Sequence, residues 1–122
     1  MKPRKVLVVD DSKLLHRMFE MMLRQYPLVH AYDGREALDR LAEHADVDLI
    51  LLDINMPRMN GLEFLTAVKS IAAHASIPVV IITTEGTDSD TQRGMQAGAA
   101  AYVRKPFRNE ELLAVIQQLG AA

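Results

Sequence analysis

The chain has 122 residues, of which 49% are hydrophobic, and this composition predicts one globular domain with a modest packed core rather than a disordered segment. Its formal net charge of −2 gives no indication of a nucleic-acid or membrane surface. The absence of cysteine excludes disulfide bonds and thiolate metal sites.

The amino terminus is basic, as in a secretory signal, but it lacks the apolar stretch of about 7–15 residues that such a signal needs. The apolar run 6–9 leads directly into two aspartates. The longest weakly charged stretch, 70–84, contains Pro78 and is shorter than the roughly 20 residues of a membrane span. We therefore expect a soluble, cytoplasmic protein that binds neither a membrane nor nucleic acid.

The first predicted element is a strand over residues 5–9, because a short continuous apolar run is typical of a buried parallel strand. Ser12 is predicted to be the N-cap of the first helix. A stripe of apolar side chains at helical spacing predicts the buried face of that helix, which consists of Leu15, Met18, Phe19, Met22 and Leu23.

Strand-like runs and helical patterns alternate through the rest of the chain. Strands are predicted at residues 28–32, 49–52, 79–82 and 100–103, and the first of these is the least apolar, which favours a sheet edge. Asp33 and Gly34 open the second helix, and Asn109 is predicted to cap the last one. The stretch 87–97 contains Gly94 and little apolar stripe, so it is predicted to be the least stable helix.

This strict alternation predicts an α/β fold in which a doubly wound, five-stranded parallel sheet is flanked by five helices in a three-layer sandwich. A single domain is expected to extend over residues 1–122, because no repeat, linker or low-complexity segment interrupts the pattern.

Charged residues follow three of the predicted strands: Asp10 and Asp11 the first, Asp53 the third, and Lys105 the last. Because parallel strands end at one edge of a sheet, we expect these side chains to converge there. Neighbouring carboxylates repel one another unless a cation is present, and a divalent cation such as Mg²⁺ prefers oxygen ligands. A carboxylate can also act as a nucleophile and form an aspartyl phosphate, and an ammonium group can pair with a phosphoryl oxygen.

Each of these residues also has a simpler interpretation when it is considered alone. An aspartate before a helix stabilises the helix N-terminus, and a lysine is usually a solvated charge. Thr83 fits ordinary β-propensity, although a hydroxyl at that edge could donate to a phosphoryl group, and Tyr102 fits a half-buried strand aromatic. The shared position at strand ends favours the functional interpretation for the aspartates and Lys105. No metal is assigned to the histidines, which have no ligand spacing: His16, His30, His44 and His74.

The sequence resembles the receiver domain of bacterial two-component response regulators, especially the stand-alone chemotaxis type. The resemblance covers nearly the whole chain, and the combination of motifs is highly specific. It rests on Val8-Val9-Asp10-Asp11-Ser12, Asp53-Ile54-Asn55-Met56-Pro57-Arg58-Met59-Asn60-Gly61-Leu62-Glu63, Thr83, Gly98-Ala99 and Tyr102-Val103-Arg104-Lys105-Pro106-Phe107. This family has a flavodoxin-like sheet with strand order 2-1-3-4-5, so the resemblance implies that order here.

The resemblance also implies roles for individual residues. Asp53 is the phosphoacceptor, and Mg²⁺ is held by the carboxylates together with the backbone carbonyl of Asn55. Asp11 is expected to bind the metal directly and Asp10 through water. The phosphoryl group is contacted by Lys105 and Thr83.

Further roles concern switching and signal lifetime. The resemblance implies that Thr83 and Tyr102 form the conformational switch, and that the Lys105–Pro106 peptide bond is cis. The side chains of Asn55 and Glu85 are expected to tune dephosphorylation, because they overhang the path of the attacking water.

The function that these residues predict is a phosphorylation-dependent signalling switch rather than an enzyme in the ordinary sense. A histidine kinase or phosphotransfer protein donates a phosphoryl group to Asp53. The face made by the fourth helix, fifth strand and fifth helix then alters its binding to a downstream protein, and the protein catalyses its own dephosphorylation. We expect a monomer or a phosphorylation-dependent weak dimer; whether the natural protein is stand-alone or carries an output domain is left open.

Two other classes of protein share parts of this pattern. An aspartyl-phosphate phosphatase of the dehalogenase type needs a second acid two residues after its nucleophile, and here Asn55 occupies that place. A flavin- or nucleotide-binding sandwich would need a phosphate loop rich in Gly, Ser or Thr after the first strand. Asp10 and Asp11 would repel such a ligand, which argues against this class.

Overall fold

In the computed structural model of the chain, the described residues are 5–53, 61–83, 88–104 and 107–120. Within them, five strands alternate with five helices, as the sequence predicted. The elements are β1 (Val6–Val9), α1 (Lys13–Met22), β2 (Leu28–Ala31), α2 (Gly34–Glu43), β3 (Leu49–Leu52), α3 (Gly61–Ser70), β4 (Val79–Thr83), α4 (Asp88–Gln96), β5 (Ala101–Arg104) and α5 (Asn109–Gly120).

The strands form one parallel sheet in the order β2-β1-β3-β4-β5. This confirms the predicted strand order and the edge position of β2. Val9, the last residue of β1, pairs with Ala31 of β2 and with Leu52 of β3. Because these residues end their strands at the same level, the residues that follow β1 and β3 leave the sheet side by side.

Two apolar layers cover the two faces of the sheet. In β1, Leu7 and Val9 pack in the layer made with α2 and α3, whereas Val6 and Val8 pack in the layer made with α1 and α5. All four side chains are fully buried. Burial on both faces explains why β1 and β3 are continuous apolar runs rather than alternating ones.

Capping side chains mark the beginning of two helices. The Ser12 hydroxyl accepts a hydrogen bond from the Leu15 amide at 3.2 Å, and an Asp33 carboxylate oxygen accepts one from the Glu36 amide at 2.8 Å. Both confirm the predicted starts of α1 and α2. At α5 the prediction was one residue late, because the Arg108 carbonyl accepts from the Leu112 amide at 3.2 Å and Asn109 is already helical.

The buried face of α1 differs from the predicted stripe. Leu15, Phe19 and Leu23 are buried as expected, but 43% of Met18 is exposed, and His16 is buried in its place with only 2% exposed. Both ring nitrogens of His16 have hydrogen-bond partners, so burial of this polar ring leaves no donor or acceptor unsatisfied.

No helix in the described part of the chain combines the length and the apolarity needed to cross a bilayer.

Candidate functional site

Three carboxylates converge at the carboxyl edge of the sheet, where β1 and β3 end. They belong to Asp10, Asp11 and Asp53, and one oxygen from each lies within 4.8 Å of the others. The sequence predicted this convergence from the position of these residues directly after two strands. The structure therefore confirms that distant segments of the chain build one acidic site.

The sheet itself sets the position of these acids. The Asp53 amide donates to the Val9 carbonyl at 2.9 Å, and the Asp10 amide donates to the Ala31 carbonyl at 3.1 Å. The hydrogen-bond ladder thus continues up to the first acidic residue after each strand. Because β1 and β3 are neighbours, the backbone fixes the separation between Asp10 and Asp53.

The three carboxylates differ in their exposure to solvent. Only 3% of Asp10 and 8% of Asp53 is exposed, whereas Asp11 is an exposed residue. Like charges repel more strongly where the surroundings are poor in water, so the two buried carboxylates favour a bound cation. The exposed side at Asp11 gives a hydrated ion access to the cluster.

A hydrogen bond within the turn orients one of the buried acids. The Asp10 Oδ1 atom accepts from the Ser12 amide at 2.8 Å, and the Ser12 hydroxyl in turn caps α1. The turn between β1 and α1 is therefore held by both side chains, and the bond fixes the orientation of the Asp10 carboxylate.

The donor set fits a hard divalent cation. All three groups offer carboxylate oxygens, which are the ligands of Mg²⁺ and Ca²⁺ rather than of softer metals that prefer nitrogen or sulfur. Magnesium usually binds one or two carboxylates and keeps several waters, so a cluster that is open on one side suits it.

Several predicted site residues lie outside the described part of the chain: Asn55, Glu85, Lys105 and Pro106. Their roles, and the cis peptide bond between the last two, therefore stay predictions. Thr83 ends β4 and pairs with Arg104 of β5, which places its backbone at the same edge of the sheet as the acids. The Thr83 side chain is outside the described atoms.

Tyr102 lies in β5 as a half-buried aromatic, as its simpler interpretation predicted. The ring packs against the core layer that contains β1 residues Leu7 and Val9. Its hydroxyl accepts a hydrogen bond from Arg104 Nε at 2.9 Å in an exposed position. The role of Tyr102 as a switch stays a prediction.

A pair of histidines that was not predicted from the sequence adjoins the acidic site. His16 Nε2 lies 2.7 Å from the carbonyl oxygen of Asp10, and His16 Nδ1 lies 2.7 Å from His30 Nδ1. At the outer end, His30 Nε2 lies 3.2 Å from a Glu20 carboxylate oxygen. The alternation of side chains along β2 could have indicated this contact, because His30 pairs with Val8, whose side chain faces α1.

The environment of His30 makes protein stability depend on pH. Burial lowers the pKa of His30 below its ordinary 6.5, nearby His16 lowers it further, and the Glu20 carboxylate opposes both by raising it. Just below pH 6.5 the unfolded chain therefore binds more protons at this site than the folded protein.

We expect the free energy of unfolding to fall as the pH drops below 6.5, and His30→Gln to reduce this loss. Denaturant unfolding of the metal-free proteins between about pH 5 and 8 measures the difference. Identical pH profiles for the two proteins would contradict the assignment.

Comparison with known protein families gives a match over residues 6–117 to the response regulator receiver domain. The chain is similar to the chemotaxis protein CheY1 of Helicobacter pylori, with 36% identity over 111 residues, which cover 88% of this chain and 90% of that protein. It is also 36% identical over 117 residues to the transcriptional regulatory protein CpxR of Escherichia coli, covering 94% of this chain. Here the match spans only 48% of the relative, so the chain is about half the length of CpxR.

Solved structures that are similar to this chain indicate the same family. The crystal structure of the chemotaxis protein CheY4 of Vibrio cholerae superposes with a TM-score of 0.88 and 38% identity, and the match covers 95% of this chain and 98% of that one. A response regulator structure from Chloroflexus aurantiacus gives a TM-score of 0.92 at 29% identity, over 99% of this chain and 100% of that one.

Proposed function

Because the chain belongs to the receiver-domain family of response regulators and is therefore a phosphorylation-dependent signalling protein, we propose that Asp53 accepts a phosphoryl group from a histidine kinase or a phosphotransfer protein. The observation that carries this proposal is the cluster of Asp10, Asp11 and Asp53 within 4.8 Å at the carboxyl edge of the sheet. A cluster of this kind combines a nucleophilic carboxylate with the ligands of a divalent cation.

In the proposed reaction, an Asp53 carboxylate oxygen attacks the phosphorus atom of a phosphohistidine. The new O–P bond forms as the N–P bond breaks, and the imidazole leaves with the electron pair and takes up a proton. A bound Mg²⁺ would neutralise charge on the phosphoryl oxygens. The residues that would hold it are Asp10, Asp11 and Asp53, together with the backbone carbonyl of Asn55.

The protein contributes position and electrostatics to this step rather than a separate chemical group. The β1–β3 ladder holds Asp53 beside the metal ligands through the bond from its amide to the Val9 carbonyl. Lys105 is proposed to pair with a phosphoryl oxygen, and Thr83 to donate a hydrogen bond to another.

A small phosphodonor tests this function without knowledge of the partner kinase. Incubation with acetyl phosphate and Mg²⁺ should produce one acyl phosphate per chain, detected as a mass increase that hydroxylamine reverses. The same incubation with a chelator should give none. Failure to label the protein at saturating Mg²⁺, or a label that resists hydroxylamine, would contradict the proposal.

The output of the switch is proposed to be the face made by α4, β5 and α5. A phosphoryl group adds about −1.5 to −2 charges, which would attract Thr83 and Lys105 and allow Tyr102 to pack inward. Inward packing requires the Tyr102 hydroxyl to leave its contact with Arg104.

We therefore expect amide hydrogen exchange to change in residues 85–97 and 101–107 when Mg²⁺ and a beryllofluoride mimic bind. Tyr102→Ala should reduce the change in α4 while leaving binding of the mimic intact. If exchange changes avoid both segments in the wild-type protein, the proposed coupling is wrong.

A short signal lifetime is also proposed, since hydrolysis needs a water in line with the Asp53 phosphoryl bond. Asn55 and Glu85 are polar and should orient this water, whereas a bulky apolar side chain would exclude it. We expect Asn55→Met and Glu85→Leu each to slow phosphate release while leaving Mg²⁺ binding nearly unchanged. Release kinetics measured after removal of the phosphodonor provide the test; equal lifetimes for the three proteins would refute the water-access argument.

We also propose the extent of the domain, its location, its oligomeric state and its partners. Residues 1–122 are proposed to form one receiver domain in the cytoplasm, acting as a monomer or as a phosphorylation-dependent weak dimer. Its partners are a histidine kinase or phosphotransfer protein and a downstream protein that reads the α4–β5–α5 face.

A further inference from the structure

We propose that His16 and His30 are positioning residues for the metal site: His30 fixes the tautomer of His16, and His16 holds the backbone carbonyl of Asp10. This inference rests on the proposed function, because the geometry that the histidines maintain is that of the Asp10–Asp11 turn. Neither histidine is proposed to touch the metal or the phosphoryl group.

The tautomer of His16 follows from its hydrogen-bond partners. The Asp10 carbonyl oxygen can only accept, so the ring nitrogen 2.7 Å from it, His16 Nε2, must carry a hydrogen. In a neutral ring the other nitrogen is then an acceptor. His30 Nδ1 lies 2.7 Å from that nitrogen. With His16 in this tautomer, His30 Nδ1 must be the donor. The two contacts are therefore mutually consistent, and the bond from His30 selects the His16 tautomer that can hold Asp10.

Burial makes this arrangement hard for water to replace. Only 2% of His16 and 3% of Asp10 is exposed. The His16 ring also packs against two other rings, with its centroid 4.8 Å from that of His30 and 4.3 Å from that of Tyr32. If His30 did not donate, a buried ring nitrogen would lose its partner and the preference for the correct tautomer would disappear.

The two nitrogens of His30 share a single hydrogen when its ring is neutral. His30 Nε2 faces Glu20 at 3.2 Å, and the Glu20 side chain is 58% exposed. The His30 Nδ1 hydrogen is present in the neutral ring that donates to His16 and also in the doubly protonated ring. In the neutral ring, Nε2 has no hydrogen and cannot donate to the Glu20 carboxylate, because both atoms are acceptors. Protonation of Nε2 creates that hydrogen bond without changing what His16 donates to Asp10.

The carbonyl that His16 holds lies where β1 passes into the acidic turn. The same residue accepts from the Ser12 amide through Oδ1, so Asp10 is fixed by its backbone on one side and by its side chain on the other. Loss of the His16 contact would free the turn that presents Asp10 and Asp11 without removing any metal ligand. Groups that orient metal ligands in this way typically affect metal affinity by about 10–100-fold when they are replaced.

A comparison of His30→Leu with His30→Gln tests the proposal. Leucine cannot donate to His16 Nδ1, whereas the glutamine amide can. We expect His30→Leu to weaken Mg²⁺ binding by about tenfold and His30→Gln to recover most of the affinity. Amide chemical shifts of the full chain, recorded during a Mg²⁺ titration, measure the affinity. His74→Leu is the matched control, because His74 lies in the turn before β4, at the amino ends of the strands and therefore away from the acidic site.

The ¹⁵N resonances of the imidazoles give a second readout that does not depend on activity or metal. In the wild-type protein they should show His16 as the Nε2–H tautomer, and in His30→Leu as a mixture. A His16 ring with hydrogen on Nδ1 alone in the wild type, or wild-type Mg²⁺ affinity in His30→Leu, would overturn the proposal. If His30→Leu does not fold, the wild-type spectrum decides. Absence of Mg²⁺ binding in the wild type would instead count against the proposed function.

Discussion

Asp53→Asn is expected to abolish the hydroxylamine-sensitive phosphate that acetyl phosphate and Mg²⁺ introduce into the wild-type protein. The amide nitrogen and oxygen of asparagine are poor nucleophiles compared with a carboxylate oxygen, so the O–P bond cannot form at this position. The substitution is nearly isosteric, and only 8% of Asp53 is exposed, so the packing at the end of β3 should be preserved. Intact-protein mass spectrometry measures the loss.

Asp39→Asn is the matched control for this experiment. Asp39 is an exposed aspartate on α2, outside the acidic cluster, and the same change of carboxylate to amide should leave labelling unaffected. Undiminished labelling of Asp53→Asn would show that another residue accepts the phosphoryl group. Loss of labelling in both variants would point to a change in the fold instead of the loss of a nucleophile.

The second large effect concerns stability and magnesium. A ligand that binds only the folded protein stabilises it by about 2.7 kcal/mol when its concentration is 100 times its dissociation constant. We expect wild-type protein to gain about this much unfolding free energy from Mg²⁺, and Asp11→Ala to lose most of the gain at the same concentration. Asp10→Ala should lose less, because the resemblance makes Asp11 the direct ligand. Denaturant unfolding with Mg²⁺ and with a chelator measures both.

In the metal-free protein, Asp11→Ala should change the free energy of unfolding in the opposite direction. The three carboxylates lie within 4.8 Å of one another, so removal of one relieves repulsion between like charges. Asp11→Ala is therefore expected to be more stable than the wild type in chelator and less stable than the wild type in saturating Mg²⁺. Equal Mg²⁺ titrations for wild type and Asp11→Ala would contradict the assignment of Asp11 as a ligand.

Much of the fold could be predicted from local sequence because buried parallel strands have a simple signature. The runs that became β1 and β3 are continuous and apolar, and each is followed at once by aspartate. That β1 and β3 are neighbours in the sheet could not be predicted in this way, because periodicity does not specify strand order. The order 2-1-3-4-5 came from the family resemblance, and that order brings Asp10 beside Asp53.

The pairing of His16 with His30 could not be predicted from the spacing of apolar residues. A pattern of apolar side chains treats histidine as polar and places it outside, so Met18 was predicted to be buried and His16 was not. His16 in α1 and His30 in β2 are hydrogen-bond partners through their ring nitrogens, although the two residues are 14 positions apart in the sequence. Strand parity indicates that the His30 side chain faces α1, but the hydrogen bond between the two rings depends on the folded structure.

We propose that the ends of β1 and β3 together form one divalent-cation site that serves Asp53. Crystals grown with Mn²⁺ in place of Mg²⁺, and measured for anomalous diffraction, locate such an ion directly. We expect an anomalous peak bonded to carboxylate oxygens of both Asp11 and Asp53. A peak bonded to carboxylates elsewhere on the chain, with none between these two residues at saturating Mn²⁺, would contradict it.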